Sequence, residues 1–114
     1  LRTPDTHDAA AYDALFRTLA DPTRRALFER LCREGEKTVS DLTERAGVSQ
    51  PVVSKHLSVL KQAGLVRDRH EGRRTHYSAQ PAALAPLVDW TRDMASFWES
   101  RLDDLENLLK RMDQ

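Results

Sequence analysis

Apolar positions recur at helical spacing over most of the chain, and the period changes to that of a strand in only one stretch. Over residues 8–20, Ala11, Leu15, Phe16 and Leu19 lie three and four apart or side by side, which predicts a first helix. Asp21 followed by Pro22 predicts the start of a second. A short carboxylate can accept from the free amides of a first turn, and proline there gives up an N–H that has no partner in any case. This helix runs to about Glu34 with Leu27, Phe28 and Leu31 inward, and Gly35 supplies a positive-φ stop. Thr38 and Asp41 have the spacing of a capping box and open a short third helix, with Val39, Leu42 and Ala46 inward. Gly47 closes it, Val48 is expected to be buried in the turn, and Ser49 is expected to cap a fourth helix. Two short helices joined by a tight glycine-containing turn are a helix-turn-helix.

The fourth helix divides by face. Val53, Leu57 and Leu60 fall on one stripe, with His56 and Ala63 at its edge. Ser54, Lys55, Ser58, Lys61 and Gln62 lie on the other side, with Gln50 near the N-terminus, and no acidic residue occurs between Ser49 and Ala63. After Gly64 the period shortens: Leu65–Glu71 and Arg74–Ala79 read as a two-stranded hairpin turning at Gly72-Arg73. From Pro81 to Met112 a long helix is predicted, its start delayed or kinked by Pro86. Residues 98, 102, 105, 109 and 112 (Trp98, Leu102, Leu105, Leu109, Met112) alternate spacings of four and three, as in a coiled-coil seam. Such a stripe either folds back as core or pairs with a second copy. Its length, beside so small a helix-turn-helix unit, favours the second copy. The expected architecture is one mainly α domain, 1–114, with a small β-wing: a core over 8–80 and a dimerisation helix over 81–114.

Charge changes the picture more than composition does. The chain is formally neutral, with 18 basic and 18 acidic residues. Residues 45–80, however, carry seven basic side chains against two acidic ones, together with His56, His70 and His76. A basic block that includes a polar helix face and an Arg73-Arg74 hairpin tip fits phosphate binding, which net charge does not report. Small hydroxyls and an amide beside lysines also permit close approach to base edges. Charged residues at 32% and apolar ones at 39% fit a globular protein. No apolar run approaches the ~18 residues of a membrane span, and the start has neither the basic flank nor the apolar stretch of a secretory leader. A cytoplasmic protein with no membrane partner is the expectation.

The candidate chemistry is sparse. Cys32, the one cysteine, excludes an internal disulfide and is expected to be a half-buried small apolar group; a redox role would need exposure and a cation besides the adjacent Arg33. No nucleophile–base order, glycine-rich phosphate loop or apparent carboxylate pair supports an enzyme.

Three stretches in register, "LADPTRRALFERL", "TVSDLTERAGVSQPVVSKHLSVLKQAGLV" and "EGRRTHYS", resemble the ArsR family of bacterial winged-helix repressors. The resemblance covers roughly residues 13–79, and the tail "WTRDMASFWESRLDDLENLL" is similar to the subgroup without metal sites. It implies a homodimer built on the first and last helices that represses from an inverted-repeat operator on double-stranded DNA. By motif, DNA reading falls on Gln50, Ser54, Lys55 and Ser58, with the wing at Arg73 and Arg74; Thr38, Ser49, His56, Lys61 and Arg69 complete the candidate contacts. The dimer seam is expected to include Leu15, Leu19, Trp90, Met94, Phe97, Trp98, Leu102, Leu105 and Leu109. Metal-sensing members carry a cysteine pair where this chain has Thr38 and Ser40, and the last helix here has carboxylates but neither His nor Cys. Hydroxyls are poor ligands for soft metals, so neither a metal nor a cofactor is expected. An effector- or redox-responsive sensor of the same fold and a protein-interaction module are the alternatives. The polar, basic face of the fourth helix argues against the module.

Overall fold

A computed structural model describes residues 6–113 of the chain. In chain order the elements are α1 (Thr6–Ala20), α2 (Pro22–Glu34), β1 (Lys37–Thr38), α3 (Val39–Glu44), α4 (Gln50–Gln62), β2 (Val66–Glu71), β3 (Arg74–Ala79), a 3-10 turn (Pro81–Leu84) and α5 (Ala85–Met112). The mainly helical architecture with a small antiparallel wing and a long last helix is as expected.

Local chemistry sets the helix ends. Asp21 caps α2 by accepting from the Arg24 amide at 2.9 Å, a bond that holds its carboxyl below the usual range. The two arginines of "DPTRR" then turn back on α1. Arg24 Nε donates to the Thr18 carbonyl and Arg25 Nη1 to the Leu19 carbonyl at 2.8 Å, covering acceptors that a helix end leaves without amide partners. At α3 the capping box forms in both directions: Thr38 Oγ1 accepts from the Asp41 amide at 3.1 Å, and Asp41 Oδ2 accepts from the Thr38 amide at 3.3 Å. Thr38→Ala is expected to lower the unfolding free energy by about 1 kcal/mol, read by urea titration. The Thr38 amide, first among the causes, holds the Asp41 carboxyl below its ordinary value. A lowered folded-state value places that contribution above the unfolded carboxyl's value and removes it as pH falls through the folded one. The box should therefore weaken in acid, below about pH 4.

The core lies where α2, α3 and α4 meet the sheet. Leu42, Val53, Leu57, Leu60 and Leu65 are fully buried, and Leu27, Phe28, Leu31, Val66, Tyr77 and Leu15 complete the cluster. The expected inward stripe of α4 is thus the observed one. The sheet has strand order β1-β3-β2, all antiparallel, with Val66 opposite Ala79 and Glu71 opposite Arg74 across the hairpin. Gly72, at φ 60°, makes the turn in a region that a Cβ disfavours.

Several expectations need correction. The sheet is three-stranded rather than two-stranded, because Lys37 and Thr38 pair with Tyr77 and His76. α3 stops at Glu44, so Gly47 (φ 72°) belongs to the turn that follows it, and Val48 there is half-buried. Ser49 occupies the N-cap of α4 without a side-chain hydrogen bond. Cys32 is exposed, not half-buried; desolvation by its surroundings pushes its thiol up, Glu29 adds to this and Arg33 opposes it.

Pro86 acts as expected, sitting in the first turn of α5, which begins only after the 3-10 turn. Leu84 and Leu87 pack against the core, but no side chain of α5 is buried. The rest of this 28-residue helix projects outward and gives the molecule a longest dimension of 73 Å. Among the described residues no helix is long and apolar enough to cross a membrane.

Candidate nucleic-acid interface

The helix-turn-helix and the hairpin tip meet in a polar groove of about 380 Å³. Thr38, Ser40 and Asp41 line it from the start of α3, Gln50 and Ser54 from α4, and Arg73, Arg74 and Thr75 from the hairpin. Five expected contacts, Thr38, Gln50, Ser54, Arg73 and Arg74, are therefore neighbours, although the sequence spreads them over 37 positions. The capping box brings Thr38 and Asp41 to one edge. The β2–β3 turn brings the two arginines to the other.

Lys55 and Ser58 are exposed beside the groove, and Ser49 is exposed at the helix start. The Ser58 hydroxyl donates to the Ser54 carbonyl one turn back, at 3.1 Å. Its single proton is thereby used, so it offers lone pairs outward and suits an amino group such as adenine N6 or cytosine N4.

Ion pairs decide which cations are available. Lys61 Nζ donates to Asp68 Oδ2 at 3.0 Å, tying the end of α4 to β2 and lowering the Asp68 carboxyl. Arg69 is clamped by Glu36 and, at 2.8 Å, by Glu71; both carboxyls are held below their usual range, chiefly by Arg69, whose own guanidinium is pushed up. His76 lies 3.6 Å from each of the same two carboxylates. The register places Arg69 opposite His76, on the face away from that of Tyr77 and Val66 in the core. Arg45 pairs with Glu34 at 3.2 Å. Among the described residues, Lys55, Arg67, Arg73 and Arg74 of the basic block have no carboxylate within 4.0 Å.

Some expected positions stand apart from the groove. His56 turns toward α2, with Nε2 3.9 Å from Asp21 Oδ1 and a buried Nδ1 that has no hydrogen-bond partner among the described residues. Its ring is thus incompletely hydrogen-bonded within the protomer's described residues. Arg69 belongs to the closed cluster on the sheet. Leu15 is only 4% exposed and Leu19 packs on the core, so α1 turns these two inward rather than toward a seam. Phe16, on the outward side of α1, meets Trp90 edge-on with ring centroids 5.1 Å apart. Met94, Phe97, Trp98, Leu102, Leu105 and Leu109 are all exposed, Trp98 at 65% and Leu102 at 61%. Sequence reasoning missed Glu36, and it missed Val52, an exposed apolar residue in the first turn of α4. An apolar position off the buried stripe was the available signal for Val52.

Comparison with known proteins agrees with this geometry. A model described as a helix-turn-helix domain matches residues 19–69. The chain is 43% identical over 101 residues to a probable mercury resistance operon repressor of Streptomyces lividans, covering 88% of this chain and 78% of the relative. It is 42% identical over 97 residues to the HTH-type transcriptional regulator Rv2034 of Mycobacterium tuberculosis, covering 85% and 87%. Among solved structures, an ArsR-like transcriptional regulator from Rhodococcus sp. RHA1 superposes with a TM-score of 0.73 at 28% identity, over 90% of this chain and 96% of the other.

Proposed function

This chain belongs to the ArsR family of winged helix-turn-helix transcriptional regulators, sequence-specific DNA-binding proteins and not enzymes, and on that premise we propose that it is a dimeric repressor of an inverted-repeat operator. In this reading α4 lies in the major groove, where Gln50, Ser54 and Ser58 face base edges and Lys55 faces a phosphate. Arg73 and Arg74 follow the DNA beyond it. The observation that carries the reading is the polar groove in which the first turns of α4 converge with two arginines of the hairpin tip that have no carboxylate partner among the described residues. Neutral chain charge does not oppose it, because the acidic surplus lies in residues 1–44 and 81–114 while the basic surplus lies in residues 45–80, which carry α4 and the hairpin.

Dimerisation would rest on α5, whose stripe from Met94 to Leu109 is left exposed by the described residues of the protomer, joined by Phe16 of α1. A two-fold axis sets two recognition helices about one turn of duplex apart or a multiple of it, which matches an inverted repeat. The signal, if one acts, is not a soft metal. The relative from Streptomyces is named for mercury resistance, but here the Thr38 hydroxyl is engaged as a helix cap and Cys32 is the one thiol. Control by protein level or by a small molecule fits these residues better.

Selection from a random duplex library tests the proposal. The chain is expected to enrich an inverted repeat and to bind it with a steep salt dependence, each phosphate contact contributing a slope of about −0.9 in log K against log salt. Zinc, cadmium or arsenite at stoichiometric concentration is expected to leave the complex intact. Binding that stays flat between low and physiological salt contradicts the DNA reading, and metal-driven release reversed by chelator contradicts the signal.

A further inference from the structure

We propose that Val52 reads a thymine methyl group and so sets part of the operator sequence. The inference rests on α4 being the helix that enters the major groove. Val52 is 39% exposed in the first turn of α4, although its neighbour Val53 is fully buried. By helical geometry it stands about 100° around the axis from the buried stripe of Val53, Leu57 and Leu60. A β-branched apolar side chain at such a place gains little for the helix itself, since valine there loses rotamer freedom.

Its surroundings divide the outward face in two. Gln50 and Ser54 lie on the flank that lines the groove with Arg73 and Arg74. Val52 lies on the opposite flank, the side of His56, which faces Asp21 at the start of α2. Exposed Pro51 precedes it, and half-buried Val59 follows two turns along the same edge. One flank thus offers hydrogen-bonding groups and the other offers methyls. In the major groove the one apolar mark on a base edge is the C5-methyl of thymine, for which an aliphatic side chain is the matching contact.

The test begins with the duplex that the wild-type chain selects from a random library, in which each thymine is replaced in turn by deoxyuridine. Wild type is expected to lose affinity about fourfold at one thymine per half-site, the factor for one methyl removed from water. Val52→Ala is expected to bind the thymine and uracil sites equally, and Val52→Ile to keep the preference. Both variants should match wild type in thermal unfolding, because the position is exposed. Equal binding of thymine and uracil sites by wild type, or a penalty that persists in Val52→Ala, overturns the inference while leaving DNA binding intact. A wild-type chain that selects no sequence overturns the DNA reading and this inference together.

Discussion

Leu102→Asp is expected to convert the protein into a folded monomer that has lost operator binding, although every residue facing the DNA is intact. Leu102 is 61% exposed and sits in the middle of the α5 stripe, between Trp98 and Leu105. It touches none of the core cluster formed by α2, α3, α4 and the sheet, so the protomer has no reason to unfold. In the proposed dimer the same position is buried against a second copy. An unpaired carboxylate there costs several kcal/mol, roughly what complete burial of two leucines contributes. The two-fold axis enters the cost twice, once for each subunit. Without a dimer a single recognition helix holds one half-site, and binding falls toward the non-specific level, typically 10³-fold weaker or more. Sedimentation gives the mass and a gel-shift titration gives the affinity. Circular dichroism at both temperatures of a melt separates a monomer from an unfolded chain. A Leu102→Asp dimer with wild-type affinity would exclude this residue from the interface.

What could be read from the chain beforehand follows the range of each interaction. Asp21 with Pro22, and Thr38 with Asp41, act within a single turn, so their spacing alone announces the helix starts that the structure contains. Val53, Leu57 and Leu60 share a stripe wherever α4 packs, and all three are buried. Interactions that depend on tertiary approach were not legible. Glu36 reaches Arg69 across 33 positions, and that pair removes a cation counted as available for DNA. β1 has two residues, too few for any alternation to register. On α1, Leu15 and Phe16 are adjacent and equally apolar; only the approach of Trp90 distinguishes the inward residue from the outward one. The same holds for the candidate site. Its residue types were visible along α4 and at the hairpin tip, whereas their convergence with Thr38 in one groove depends on how β1 docks on β3.

Helix and hairpin are expected to fail in different ways when mutated. Gln50 and Ser54 line the groove with neutral hydrogen-bonding groups, which suit base edges. Gln50→Ala and Ser54→Ala should each relax discrimination at one base position by roughly 1–3 kcal/mol, while binding to unrelated duplexes changes little. Arg73 and Arg74 bring charge without a carboxylate partner among the described residues, and charge acts on every sequence alike. Arg73→Ala and Arg74→Ala should weaken specific and non-specific binding together, each lowering the salt slope by about 0.9. Arg69 is the internal control. It lies on the same hairpin, but Glu36 and Glu71 already hold its guanidinium on the face opposite Tyr77. Arg69→Ala should therefore leave the salt slope near that of wild type, where a count of basic residues along the sequence would place it with Arg74→Ala. Titrations of the five variants against the selected site and a scrambled duplex, at three salt concentrations, separate these outcomes. An unchanged sequence preference in Ser54→Ala removes base reading from α4. A loss in Arg69→Ala equal to that in Arg74→Ala means that DNA phosphates displace the carboxylates and draw the whole hairpin into the contact.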